Sequence, residues 1–125
     1  PEDLSDKAAE ILDEYRSGNT EFIVPDLLFA EVGNIAWKKQ TLQGLPQTDV
    51  ATLLADFQQI QFDMLSATDL LDDAFQIAVH HGRTVYDSMF VAASVRAGCP
   101  LVTADERLVN AVSAALPSVE WLGDR

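Results

Sequence analysis

Cysteine occurs once, at Cys99, so no intrachain disulfide can form. A lone thiol among apolar neighbours reads as a small hydrophobe in a reducing compartment. Basic residues are also scarce: eight Lys and Arg face twenty Asp and Glu, giving a net charge of −12. Such a chain does not hold a polyanion through its overall field. Either its acids serve solubility and a cation site, or its partner is a basic protein. No apolar run approaches the roughly 20 residues needed to span a bilayer, and no basic flank leads into an apolar stretch at the N-terminus. A cytoplasmic protein with no membrane contact is therefore expected. Two His and one Cys offer no zinc spacing. There is no Gly-rich phosphate loop, nucleophile elbow or Cys–His pair, which turns the reading away from nucleotide binding and acyl transfer.

What is present suits one domain over residues 1–125: 48 % of the chain is apolar, and no linker, repeat or low-complexity tract interrupts it. In LSDKAAEILDEYRSGN, Leu4, Ala8, Ile11, Leu12 and Tyr15 share a helical face, with Gly18 just past its end. EFIVP is a short strand, followed by a helix from about Asp26 to Gln40 with Asp26 as N-cap. LPQTDVATLLADFQQI is a helix, QFDML a strand, and SATDLLDDAFQIAVHHG a helix closed by Gly82. TVYDSMFVAASVRAG is apolar nearly all round and so is a buried helix. PLVTAD is a strand running into the helix DERLVNAVSAAL, and SVEWL is a last strand. Strands alternating with helices predict an α/β fold, a three-layer α/β/α sandwich around a short, mainly parallel sheet. Ligands in such folds sit beyond the carboxyl ends of strands.

Three acids stand where a casual charge is costly. Asp87 is in the first turn of the buried helix, and Asp105 lies where PLVTAD passes from strand to helix. Glu31 shares a narrow polar stripe with Asn34 and Lys38 inside an otherwise apolar helix. Each also has a purely structural reading. Thr84-x-x-Asp87 and Thr103-x-x-Glu106 match capping boxes, as does Ser66-x-x-Asp69, and Glu31 fits a solvent-facing stripe. Taken together they point further. Two carboxylates about 4 Å apart repel by about 4 kcal/mol at an effective dielectric near 20. Converging acids therefore call for a cation, and Mg²⁺ or Mn²⁺ is the hard, oxygen-loving choice. Ions of that kind hold phosphate oxygens and activate water for phosphodiester hydrolysis.

TVYDSMFVAASVRAGCPLVTADERLV resembles the C-terminal half of a VapC-like PIN domain, and PDLLFAEVGNIAWK resembles that family's second helix. The resemblance runs from about Leu4 to Leu122. It implies a metal-dependent ribonuclease, the toxin of a toxin–antitoxin pair, acting on an RNA substrate. On it, Glu31, Asp87 and Asp105 fall on the metal-site acids, Thr103 on an accessory hydroxyl, and Asn34 on a supporting position. It also implies a cognate basic antitoxin, whose Arg forks onto the site carboxylates and whose tail lies along a groove near Trp37 and the helices from Leu4 and Asp49. A homodimer is compatible with it. Arg83, Arg107 and Lys38, near the acids in sequence, are candidates for RNA phosphates and equally for exposed salt bridges. His80 and His81 read as helix-end residues favoured by the dipole.

The pattern departs from the family at one place. Such domains begin with an apolar strand ending in a fourth acid, whereas PEDLSDKAAE reads as the segment after that strand. Neither Asp3 nor Asp6 is preceded by an apolar strand, so neither takes that role. The expectation is a domain incomplete at its N-terminus. A rival reading keeps the fold without catalysis, as a module that binds a basic protein. A phosphoryl-accepting receiver is disfavoured, because PLVTAD supplies Asp where a receiver needs Lys.

Overall fold

Alternating short apolar runs and amphipathic stretches do fold as an α/β protein. The computed structural model describes residues 2–125; the side chains of Glu2, Asp3 and Ser5, and with them the question of Asp3, lie outside the described set. The order is α1 (Glu2–Arg16), β1 (Ile23–Pro25), α2 (Leu27–Thr41), α3 (Gln47–Gln58), β2 (Asp63–Leu65), α4 (Ala67–His81), α5 (Val85–Ala97), β3 (Leu101–Thr103), α6 (Glu106–Val112) and β4 (Val119–Trp121), then a 3-10 turn (Leu122–Asp124). No helix is long and apolar enough to cross a membrane among the described residues.

The strands pair in parallel, but as two separate pairs. β1 pairs with β2, Val24 opposite Met64, and β3 pairs with β4, Val102 opposite Glu120. Among the described residues no ladder joins β1 to β3. Between them lies a cavity of about 530 Å³, bordered by Ile23 and Val24 on one side and Leu101 and Val102 on the other. Ala8 and Ile11 of α1 and Phe90 of α5 also line it, as do the charged Glu14, Glu21 and Arg125. The two strand pairs thus face one another across this slot.

α5 explains its own composition. Met89, Ala92 and Ala93 pack against Leu70 and Ala74 of α4, where small side chains let the two helices close. Val91, on another face, packs with Leu108, Val112 and Val119 of α6 and β4. A helix buried on several faces cannot be amphipathic. α4 ends as expected at Gly82, whose φ of 64° suits a residue without Cβ. α6 is shorter than its sequence pattern, stopping at Val112 and continuing as turns that bond Ala115 and Leu116 back to Val112.

The first half is held differently. Tyr15 stacks on Phe22 at 4.9 Å, and Phe62 meets Phe22, Phe29 and Phe57 within about 6 Å. Asp26 opens α2, but its side chain makes no bond to that helix. Instead its Oδ1 accepts the amide of Ala67 at 3.0 Å, tying off the start of α4 from 41 residues away. Trp37, expected beside the groove for an antitoxin tail, is 53 % exposed.

Candidate active site

Asp87 owes its place to the capping of α5. Thr84 sits at the N-cap, and its Oγ1 accepts the Asp87 amide at 3.0 Å. That is half of the capping box the sequence suggests. The reciprocal half is not formed: the Asp87 carboxylate turns to Arg83, whose terminal nitrogen stands 3.4 Å from Oδ2. Capping is done by the hydroxyl, and the carboxylate is left for other work.

At the end of β3 the assignment changes. Thr103 does not form a box with Glu106; its Oγ1 accepts the amide of Asp105 at 3.1 Å. Asp105 itself is the N-cap of α6, its Oδ1 accepting the amide of Leu108 at 3.2 Å. One oxygen of Asp105 is thus engaged in structure. Ser66 likewise caps α4 through the amide of Thr68, not of Asp69.

Asp87, Thr103 and Asp105 line one cavity of about 320 Å³, with Phe90, Val102 and Leu108 as its apolar wall. Phe90, Leu101 and Val102 also border the slot between β1 and β3. The two cavities therefore share a wall, and the acids lie at the carboxyl end of β3, where an α/β fold places its ligands.

Glu31 does not line that cavity, but it is electrically coupled to it. Burial pushes its carboxyl above the ordinary carboxylate range, and the charge of Asp87 adds to the rise. Its Oε1 is buried with no hydrogen-bond partner among the described residues. Such an atom is costly to leave alone. Asn34, one turn on, is exposed, as is Lys38. Ser88, next to Asp87, is fully buried and its hydroxyl also lacks a partner among the described residues, a feature that helical periodicity alone does not reveal.

The donors fit a hard divalent ion in kind, since all are oxygens and one is buried and unsatisfied. They do not form a closed set: among the described residues no three His, Cys, Asp or Glu side chains are grouped to hold a metal.

A PIN domain family model matches residues 1–113. The chain is also similar to Ribonuclease VapC3 of Pyrobaculum aerophilum, 30 % identical over 112 residues that span 88 % of this chain and 82 % of that protein. Two of the motifs that carry the resemblance, the acid opening α5 and the Thr-x-Asp ending β3, are brought to one cavity, whereas Glu31 of the second helix does not line it. The chain belongs to the PIN domain family.

Proposed function

We propose that the chain is the main part of a VapC-like endoribonuclease that uses Mg²⁺ or Mn²⁺ and is held in check by a basic antitoxin in the cytoplasm. One observation carries the reading: Asp87, Thr103 and Asp105 line one cavity at the carboxyl end of β3. Glu31, Asp87 and the free oxygen of Asp105 would then hold the metal, which when bound supplies charge neutralisation and an activated water for phosphodiester hydrolysis. Thr103 has its hydroxyl oriented by the Asp105 amide and stands ready to position a water or phosphate oxygen. The apolar wall of Phe90, Val102 and Leu108 would lower the local dielectric on one side of the acids. Asn34, on the same stripe as Glu31, serves as a supporting residue.

The test is RNA cleavage by the full-length protein with and without Mn²⁺. Cleavage that needs the ion and is lost in Asp87→Asn is expected. No cleavage, together with a melting temperature indifferent to Mn²⁺, overturns the reading.

A second reading has an observation of its own. Asp105 spends one oxygen on the α6 cap, and no three-acid group forms among the described residues, which suits a silent module that holds a basic partner through its −12 charge. Such a module binds its partner equally well with and without metal. The ribonuclease reading expects competition, because an inserted guanidinium and a metal relieve the same repulsion.

A further inference from the structure

A chain this acidic must still bring a phosphodiester to a cavity lined by carboxylates, and that needs a local cation supplied by the protein. Among the described residues, one basic side chain is bonded to a site acid. Lys7 bonds the Gly123 carbonyl, Arg96 bonds that of Asp69, and Arg125, which lines the adjoining slot, reaches Glu14. Arg107 and Lys38 are exposed. Arg83 is half-buried beside Asp87. We propose, resting on the ribonuclease reading, that Arg83 is the side chain that grips the RNA phosphate at this site.

The backbone holds it in place from both directions. The amides of Gly82 and Arg83 both bond the Ala78 carbonyl, closing α4 through the left-handed Gly82. The next residue, Thr84, is already the N-cap of α5. Arg83 is thus a single residue clamped between two caps, so its Cα is fixed relative to Asp87.

The guanidinium is under-used. Its one side-chain bond among the described residues, to Asp87 Oδ2 at 3.4 Å, is at the long edge of hydrogen-bond range. Its Nε is buried without a partner among those residues. A buried donor of that kind is unsatisfied as it stands, and an Arg presents its donors as a planar fork matched to two oxygens of a phosphate. Turning from Asp87 to a non-bridging phosphate pair loses one weak contact and satisfies several donors. The cation also offsets the repulsion that the acids present to an incoming polyanion.

The experiment uses the full-length protein with Mn²⁺ and a single-stranded RNA oligonucleotide. Arg83→Gln should raise KM about ten- to a hundredfold, the scale of a charged hydrogen bond. It should also reduce the steepness of log kcat/KM against log salt by about one, as one phosphate contact is lost. Arg83→Lys should keep the salt slope and give an intermediate KM, since charge survives without the fork. If Arg83 only braces Asp87, the Gln variant shifts the Mn²⁺ midpoint and the melting temperature but leaves KM and the salt slope alone, and the proposal falls. If Arg83→Gln does not fold, Arg83→Lys decides, and a wild-type KM overturns the proposal. Absence of cleavage by the wild type instead removes the ribonuclease reading on which the proposal rests.

Discussion

The half of the chain from α4 onward and the half before it are stabilised in unlike ways. Apart from Pro25, Ala36 and Val50, every buried side chain described lies at or after Leu70. There α5 is wedged between α4 and the α6–β4 pair, with Ala and Val packed on two faces. The earlier half relies on a string of aromatic contacts through Tyr15, Phe22, Phe29, Phe57 and Phe62, and leaves Trp37, Ile35 and Leu42 more than half exposed. The three candidate acids straddle the divide. Asp87 and Asp105 stand on the densely packed half, and Glu31 on the looser one. Precise placement is therefore built into two acids, while the third depends on how the halves meet.

The sharpest way to break this comparison is at the chemistry. Asp87→Asn should lower RNA cleavage by at least about a hundredfold, the scale of charge stabilisation at a metal site. Its metal-free stability should hold or rise, because one of the repelling charges is gone, and the melting response to Mn²⁺ should vanish. Asn remains compatible with the first turn, and Thr84 still caps. Persistence of the metal response would show that Asp87 is no more than a helix-start residue.

The packing difference predicts the next largest effect. Leu70 is fully buried between α4 and α5, so Leu70→Ala should cost about 2–5 kcal/mol. Leu53, 48 % exposed on α3, should cost less than about 1 kcal/mol on the same change. Urea denaturation of both variants measures the gap, and equal losses would erase the distinction between the halves.

Legibility divides along the same line. α5 is readable because burial on several faces leaves an all-apolar helix, and its acid then stands out by contrast. The Thr103–Asp105 motif is readable because a strand-to-helix junction has a local signature. Glu31 is harder, since its stripe of Asn34 and Lys38 is also what a solvated face looks like, and both of those neighbours are indeed exposed. Three features leave no trace in the pattern. The Arg83–Asp87 pair competes with the reciprocal half of a capping box, and local sequence does not decide which wins. The Asp26 bond to Ala67 is a cap supplied from a distant helix start. The division of the strands into two separate pairs is a long-range arrangement that hydrophobic periodicity does not report.

Asp26 sharpens the comparison at the seam. Its carboxylate caps α4 from the first half, and the amide of Asp26 in turn bonds the Leu65 carbonyl at 2.9 Å. Asp26→Ala should cost about 1 kcal/mol, as for other lost N-cap acceptors. Asp26→Asn should cost less, since its carbonyl oxygen still accepts. Hydrogen exchange at Ala67 reads the effect locally. Unchanged protection there would mean that Ser66 alone fixes the start of α4.

The smallest effect is the most specific to the divide, because it tests whether Glu31 feels the other half at all. Burial first, and Asp87 second, raise the Glu31 carboxyl above its ordinary value of 4.5. In the unfolded chain it ionises near that ordinary value, and in the folded chain only at higher pH. Between the two, the folded state binds more protons, so metal-free stability falls as pH rises from 4.5 through the raised value and then levels. Lowering the pH through the window restores it. Glu31→Gln carries no charge to desolvate, and its stability should be flatter over that window, by an amount that closes again at its acidic end. Asp87→Asn should flatten the curve less, since it removes only the smaller cause. Urea midpoints at closely spaced pH values, without divalent metal, resolve the three curves. Parallel curves for the wild type and Glu31→Gln would place the Glu31 carboxylate in water, and the third acid outside the site.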